Sequence, residues 1–186
     1  FAWDFGKNRV HIAADLIRKA SVKEKGARFT LFGFGQNVLM LRENTDWKGL
    51  LLALLSLDKL SVGEGSATAN ALLAVLQKAR AEKISNTKVV LLTDAMPDNA
   101  SNVDFDTLAG FYRQEKIPLW IAGIFASDRE IPILVDHKGE KKMMKVEAAP
   151  DEKSLKKIAQ ATGGLYQRLY RISDIETAAH IFSAET

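Results

Sequence analysis

The sequence lacks cysteine altogether, so its 186 residues can form no disulfide bond and carry no thiolate chemistry. It also lacks a hydrophobic run of the roughly 20 residues that a membrane-spanning helix needs. The nearest approach, WKGLLLALLSL at 47–57, is too short. A strong charge of either sign is missing as well, because the formal net charge is +3 and the basic residues are spread along the chain. This balance disfavours nucleic acid as a partner.

Histidine is scarce, and clustered basic residues are few. The three histidines, His11, His137 and His180, fall on a predicted helix, at a predicted hairpin tip and near the C-terminus. None has a serine or aspartate partner in a catalytic pattern, so the sequence favours no histidine-based enzyme. The densest basic stretch, HKGEKKMMK at 137–145, lies between strand-like runs, which is typical of a solvated hairpin tip rather than a phosphate or lipid site.

Helical and strand patterns alternate along the whole chain, whose 47% apolar and 26% charged residues are typical of a globular domain. Helical spacing is seen at 9–24, 45–58, 67–83, 104–116, 151–162 and 173–182, and strand patterns at 28–35, 38–43, 88–93, 117–125 and 165–170. Several strands are apolar on both faces, which indicates a parallel sheet covered by helices on both sides. We therefore predict one α/β domain over residues 1–186: a Rossmann-like, doubly wound, mostly parallel sheet with one antiparallel edge strand and a β-hairpin inserted at about 130–148.

The stretch KVVLLTDAMPDN at 88–99 carries the main candidate for chemistry. Asp94 ends an apolar strand, where a carboxylate costs free energy unless a metal, a cation or hydrogen-bond donors meet it. In doubly wound sheets this edge, beyond the carboxyl ends of the strands, is also where ligands bind. Asp94 is therefore a loop cap, a phosphoacceptor or a metal ligand.

The phosphoacceptor interpretation rests on a superficial likeness of VVLLTDAMPDN to response-regulator receiver domains, in which Met-Pro closely follows an Asp. That chemistry also needs an acidic pair after the first strand and a Lys after the fifth. Here the corresponding strand ends IAGIFASDRE without Lys, and no acid pair follows an early strand. The pattern thus disfavours phosphoryl transfer.

The metal interpretation needs oxygen ligands from a second loop, because Mg²⁺ takes octahedral oxygen coordination from carboxylates, hydroxyls and water. GEGSATANALLAVL offers hydroxyls: Gly63 and Gly65 permit a tight loop, and Ser66 and Thr68 stand just before a helix. Either residue also suits the N-cap of that helix, and we expect one of them to cap it.

GEGSATANALLAVLQKA, followed by KVVLLTDAMPDN, resembles two of the three metal-site loops of von Willebrand factor type A (vWA) domains. GARFTLFGFGQNVLMLRENTDWKGLLLALLSL is similar to the second strand, the antiparallel edge strand and the next helix of that fold. DEKSLKKIAQATGGLYQRL and the insertion IPILVDHKGEKKMMKVEA resemble bacterial membrane-anchored vWA proteins of the Bat (aerotolerance) type. The resemblance covers essentially the whole chain.

The resemblance implies a metal-ion-dependent adhesion site (MIDAS) in which Asp94 and Ser66, with Thr68 as a substitute for Ser66, hold Mg²⁺ or Mn²⁺. It further implies that the ion binds a carboxylate of a partner protein, and that the output is binding rather than catalysis. Met96, Pro97 and Asn99 are the expected partner contacts. The implied location is the bacterial inner membrane, with a soluble, periplasmic domain anchored through segments outside this chain.

Three departures from the family pattern bear on these expectations. The first metal loop of the family, Asp-x-Ser-x-Ser, does not occur, and FAWDFGKNRVHIAADLIRKA reads as the continuation after it. We therefore expect the first central strand upstream of Phe1. Ala95 replaces the Gly that commonly follows the Asp, and Ser66 stands where Thr is usual. A metal-dependent binding module, an α/β enzyme or phosphoacceptor using Asp94, and a vWA scaffold without a metal site all remain open.

Overall fold

The computed structural model describes residues 8–24, 26–57, 62, 65–84, 86–125, 130–137, 140–147 and 149–183. The helices in these ranges are α1 (Arg9–Ser21), α2 (Trp47–Leu54), α3 (Thr68–Ala81), α4 (Phe105–Gln114), α5 (Glu152–Ala161) and α6 (Asp174–Ser183). The strands are β1 (Phe29–Phe34), β2 (Val38–Thr45), β3 (Val89–Thr93), β4 (Leu119–Ile124), β5 (Glu130–His137), β6 (Glu140–Glu147) and β7 (Tyr166–Leu169). None of the helices within the described ranges has both the length and the apolar composition that crossing a membrane requires.

Side chains with short polar groups set where four of the helices begin. Each accepts a hydrogen bond from a backbone amide of the first turn, which would otherwise lack a partner. These caps are Asn8 on α1, Asp46 on α2, Asp104 on α4 and Asp151 on α5. Helix starts are therefore encoded locally for these four elements.

The strands form one parallel sheet and two antiparallel pairs. The parallel sheet has the order β3-β4-β7, in which β4 is buried along its whole length. β1 pairs antiparallel with β2, and β5 pairs antiparallel with β6 as the inserted hairpin. The predicted fold class is thus confirmed: a mostly parallel core with helices, an antiparallel edge pair and an added hairpin.

Alternate residues of β4 supply two separate cores, one on each face of the sheet. Leu119 and Ile121 pack with α3, α4 and α5, whereas Trp120, Ala122 and Ile124 pack with α1 and α6. Because successive side chains of a strand point to opposite faces, an all-apolar strand requires helices on both sides. This is the doubly wound arrangement that the sequence predicts.

The first of these cores also fixes α3 against α4 through a buried tyrosine. The hydroxyl of Tyr112 on α4 donates to the carbonyl oxygen of Leu72 on α3 at 2.8 Å. Burial raises the pKa of Tyr112 above its ordinary value, so the phenol stays neutral and remains a donor. The helix that follows Ser66 is therefore held in place by the core.

β1 and β3 each have a hydrogen-bonded neighbour on one side only, as far as the described residues show. The segments that follow both strands contact the loop that carries Ser66. The Gly35 carbonyl, after β1, accepts from the Ala67 amide, and the Asn99 amide, after β3, donates to the Ser66 carbonyl. Every residue of β1 is only half-buried, and Val90 on β3 is 41% exposed. Among the described residues, β1 and β3 therefore each leave one edge unpaired, and both lie next to the loop that carries Ser66.

A steric prediction follows from the close approach of β4 to the turn after α5. A Cβ on Gly164 would overlap the backbone carbonyl group of Leu119, so Gly164→Ala must displace backbone rather than a flexible side chain. We expect it to lower the free energy of unfolding by about 1–3 kcal/mol, the usual cost of overpacking. Urea denaturation measures the change.

Gly110 is the matched control for this substitution. It lies inside α4, and a Cβ there meets nothing within 4 Å. Gly110→Ala should therefore stabilise the protein by about 0.5–1 kcal/mol through helix propensity alone. Equal effects of the two substitutions would contradict the steric argument.

Candidate functional site

Asp94 lies directly after β3, and its neighbour Ala95 adopts an unusual backbone conformation. Ala95 is buried and has φ +57°, in the left-handed region that costs a non-glycine residue about 1–2 kcal/mol. Its amide donates to the Thr93 hydroxyl at 3.1 Å, and its carbonyl accepts from the Asp151 amide at 2.7 Å. Ala95 therefore adopts the left-handed conformation that glycine adopts most easily. Strained residues of this kind cluster at functional sites.

The carboxylate of Asp94 is met by a cation and by a backbone donor. Its Oδ2 lies 3.6 Å from Nη1 of Arg9, the first residue of α1. Its Oδ1 accepts from the Met96 amide at 3.3 Å. The Asp94 side chain keeps 43% exposure, whereas that of Arg9 keeps 7%. Asp94 thus combines a buried counter-ion with a face that is open to solvent.

Ser66 and Thr68 lie together at the start of α3, where their hydroxyl oxygens are 3.0 Å apart. Ser66 is half-buried and Thr68 is 2% exposed. The expectation that one of them caps α3 is wrong: the N-cap is Ala67, which has no side-chain acceptor. Both hydroxyls are therefore available for a role other than capping.

Asp98, in the loop after β3, supplies the acceptor that α3 lacks. Its Oδ2 accepts from the Ala69 amide at 2.7 Å and from the Ser101 hydroxyl at 2.7 Å, while its Oδ1 accepts from the Ser101 amide at 3.0 Å. A carboxylate at a helix N-terminus is also favoured by the helix dipole. The sequence interpretation missed Asp98, because Ser66 and Thr68 offered a local cap that made a distant one unnecessary.

Asn99 pairs with Ser66 through two hydrogen bonds. The Ser66 amide donates to Oδ1 of Asn99 at 3.1 Å, and the Asn99 amide donates to the Ser66 carbonyl at 3.2 Å. Together with Asp98, this pair brings the Ser66 loop against the loop that carries Asp94. Of the predicted partner contacts, Pro97 and Asn99 are exposed and Met96 is half-buried.

The oxygen donors at this edge fit a divalent cation in type but not in number. Asp94 offers a carboxylate, and Ser66 and Thr68 offer hydroxyls, which are the hard ligands that Mg²⁺ prefers. Among the residues that the structure describes, no three His, Asp or Glu side chains converge on a common point. Arg9, moreover, already forms an ion pair with Asp94. Water or groups outside these loops would have to supply the remaining ligands of an octahedral site.

The interloop role of Asp98 is testable against a second aspartate cap. Asp98→Ala and Asp104→Ala each remove a helix cap, and each should cost about 1 kcal/mol of the free energy of unfolding. Asp98→Ala alone should also speed amide hydrogen exchange at Ala69, whereas Asp104→Ala should affect Thr107. Residue-resolved exchange by NMR makes the comparison, and an unchanged Ala69 amide in Asp98→Ala would contradict the assignment.

No protein-family model matches the sequence, and no curated protein matches it either. Solved structures do match. An aerotolerance-related membrane protein from Bacteroides fragilis superimposes with a TM-score of 0.79 at 16% identity, over 97% of this chain and 91% of its own. A von Willebrand factor type A protein from Catenulispora acidiphila gives 0.70 at 14% identity, over 97% of this chain and 39% of its own. The manganese-loaded TRAP protein of Plasmodium vivax gives 0.63 at 16% identity, over 99% of this chain and 67% of its own.

Sequence identities of 14–16% show a shared backbone fold and give no information about shared chemistry. The architecture itself agrees in all three comparisons, over nearly the whole length of this chain. The chain therefore has the vWA-like, Rossmann-type α/β fold, and within that fold it resembles the aerotolerance-related Bat proteins.

Proposed function

We propose that this domain is a metal-ion-dependent protein-binding module of the vWA adhesion type. Asp94 and Ser66, with Thr68 as the substitute, would hold Mg²⁺ or Mn²⁺ at the carboxyl edge of the sheet. When bound, the ion would supply the positive charge that attracts an acidic side chain of the partner protein. The observation that carries the proposal is the pairing of Ser66 with Asn99, which joins the two oxygen-bearing loops.

The exposure of the loop after β3 supports a role in binding. The open face of Asp94 is flanked in sequence by Met96, Pro97 and Asn99, of which Pro97 and Asn99 are exposed. We propose these residues as the partner contacts around the ion. One neighbour in fold is described as manganese-loaded, which makes a divalent ion a reasonable probe for this edge.

The open edges of β1 and β3 support the expectation of an additional strand. A parallel strand between them would form hydrogen bonds with the unpaired backbone groups of both strands. It would end near Arg9, because the contact of Arg9 with Asp94 puts the start of α1 at the end of β3. We propose that this strand and the Asp-x-Ser-x-Ser loop lie upstream of Phe1. They would complete a single domain that runs through residue 186 and would add the missing ligands.

One similar structure is described as an aerotolerance-related membrane protein. We propose a corresponding location for this domain: the periplasmic side of the bacterial inner membrane, with the anchor in segments outside this chain. The partner would then be a protein in the same compartment that presents a carboxylate.

The second candidate function is a vWA scaffold that works without a metal. The contact between Arg9 and Asp94 favours it, because a guanidinium already supplies the positive charge that the carboxylate needs. An enzymatic or phosphoacceptor role for Asp94 is the remaining alternative. Turnover of a phosphate ester that is lost in Asp94→Ala would establish that alternative.

Calorimetric titration tests the metal proposal. Mn²⁺ and Mg²⁺ are titrated into the protein with its natural upstream sequence, and we expect binding at one site. Asp94→Ala should abolish the binding while urea unfolding stays cooperative, since a half-exposed carboxylate is lost rather than a core side chain. Asp106→Ala removes the same charge from the exposed start of α4 and should bind the ion normally.

The hydroxyl ligand is assigned by two further variants in the same titration. Ser66→Ala should weaken binding more than Thr68→Ala, because Ser66 is the half-buried member of the pair and Thr68 is enclosed. The reverse order would move the assignment to Thr68. Ion affinity that is the same in Asp94→Ala as in the wild type would remove Asp94 from the metal site.

A further inference from the structure

The outer side of β2 is a strand edge without a partner in the described ranges. β2 pairs with β1 on one side, and no other described strand is hydrogen-bonded to it. The backbone N–H and C=O groups on its free side are strong donors and acceptors, and an edge of this kind is a template for pairing with another chain. The first half of β2 also carries two successive exposed apolar side chains, Leu39 and Met40.

The C-terminal end of α2 adds apolar surface beside this edge. Leu52 is 62% exposed, and Leu55, directly after the helix, is 74% exposed. A cavity of about 230 Å³ lies between the helix and the strand, lined by Leu41, Arg42, Leu52, Ala53, Ser56 and Leu57. These six residues form a leucine-rich groove next to an unpaired strand edge, which we call the β2–α2 groove.

A register shift in β2 brings an apolar side chain and a cation to the same cavity. Leu31 of β1 lies opposite Arg42. The next residue, Phe32, lies opposite Met40, so Leu41 has no partner in β1. Neighbouring side chains of a regular strand point to opposite faces, whereas a bulge re-aims a side chain. The shift therefore accounts for the presence of both Leu41 and Arg42 in the lining of the groove.

Arg42 is the charged residue of the groove, and its charge is uncompensated in the part of the chain that the structure describes. The side chain is exposed, and its guanidinium has no hydrogen bond, ion pair or ring contact there. The next residue, Glu43, accepts a hydrogen bond from Lys78, which lowers the pKa of the Glu43 carboxyl. An acidic group on an incoming chain would therefore complement Arg42.

The combination of a strand edge, an apolar cavity and an unpaired cation fits strand addition. In this mode an extended segment pairs with a strand edge through its main chain, and pockets accept its alternate side chains. Lipid acyl chains, in contrast, offer no hydrogen bonds to backbone groups. A second copy of this chain would bring its own β2, whose one acidic residue, Glu43, is already paired with Lys78.

We propose that the β2–α2 groove is a docking site for an extended segment of a partner protein. The segment adds to the free edge of β2 through main-chain hydrogen bonds. One of its apolar side chains enters the cavity, and an acidic side chain pairs with Arg42. The site involves neither Asp94 nor a metal ion, so it is independent of the proposed metal-dependent function.

A synthetic peptide tests the proposal in the presence of EDTA. Its sequence, Lys-Thr-Val-Thr-Val-Thr-Glu-Thr-Lys, favours an extended chain and places both valines and the glutamate on one face. The peptide is titrated into the isotope-labelled full-length protein, and the amide chemical shifts are followed by NMR. We expect shifts in β2 and at the C-terminal end of α2. No binding, or shifts confined to other elements, would overturn the proposal.

Modified peptides separate main-chain pairing from charge. The amides of a strand point alternately to its two sides, so two peptides are made, each methylated on the backbone nitrogens of one alternate set of residues. One of the two should lose binding, because its donors toward β2 are removed. Equal binding by both methylated peptides would contradict strand addition. A peptide with glutamine in place of glutamate should bind about threefold more weakly, since an exposed ion pair contributes little.

Variants of the protein locate the two side-chain contacts. Arg42→Gln should weaken binding of the glutamate peptide about threefold and leave binding of the glutamine peptide unchanged. Leu52→Gln should weaken binding of both peptides about tenfold, because less apolar surface is buried. Leu165→Gln is the matched control, since it removes an exposed leucine just before β7 and should bind normally. Equal losses in Leu52→Gln and Leu165→Gln would place the peptide elsewhere and overturn the proposal.

Two further measurements address other occupants of the groove. Sedimentation of the wild type without peptide would reveal a dimer, and dissociation of that dimer in Leu52→Gln would assign the groove to a second copy. Binding to phosphatidylglycerol vesicles that is lost in Leu52→Gln would assign it to a lipid surface. Either result would overturn the partner segment, and we expect neither.

Discussion

The hydrogen bond from the Ala69 amide to the carboxylate of Asp98 is the interaction on which the arrangement of the site depends. α3 begins at a residue with no side-chain acceptor, so its first amides need a partner from elsewhere. Asp98 provides that partner, and the pairing of Ser66 with Asn99 follows beside it. The need to cap the N-terminus of α3 thereby brings the loop before α3 into contact with the loop after β3. Ser66 is thereby held against the loop that carries Asp94.

Electrostatics then decides what the joined loops can do. Asp94 keeps an open face toward solvent while a buried guanidinium approaches its other side. The arrangement places a cation beside this carboxylate without any bound ion. Ala95 adds a structural cost at the same place, because it holds a left-handed conformation inside the protein. Strain and compensated charge meet at one edge of the sheet, which is where binding sites of this fold class lie.

Much of the fold was predictable because its causes are local. The all-apolar run of β4 indicates a strand that is buried on both faces. Asp46, Asp104 and Asp151 mark helix starts because each lies three residues before the amide that donates to it. The predicted N-cap of α3 was wrong. Ser66 and Thr68 are residue types that often cap a helix, but the Ala69 amide donates to Asp98 instead. The contact between Arg9 and Asp94 was not predicted, because no local pattern relates the start of α1 to the end of β3.

The sequence by itself determined the alternation of helices and strands, the two-faced burial of the sheet and the placement of Asp94 at a strand end. These follow from periodicity and from chain order, which are properties of short segments. Only the tertiary structure decided which groups surround Asp94. Arg9 contacts Asp94 from the start of α1, and Ser66 pairs with Asn99 of the loop that carries Asp94, so both contacts depend on how α1 and α3 pack against the sheet. Packing sums many weak contacts over the whole domain, so no single stretch of sequence encodes the neighbours of one carboxylate.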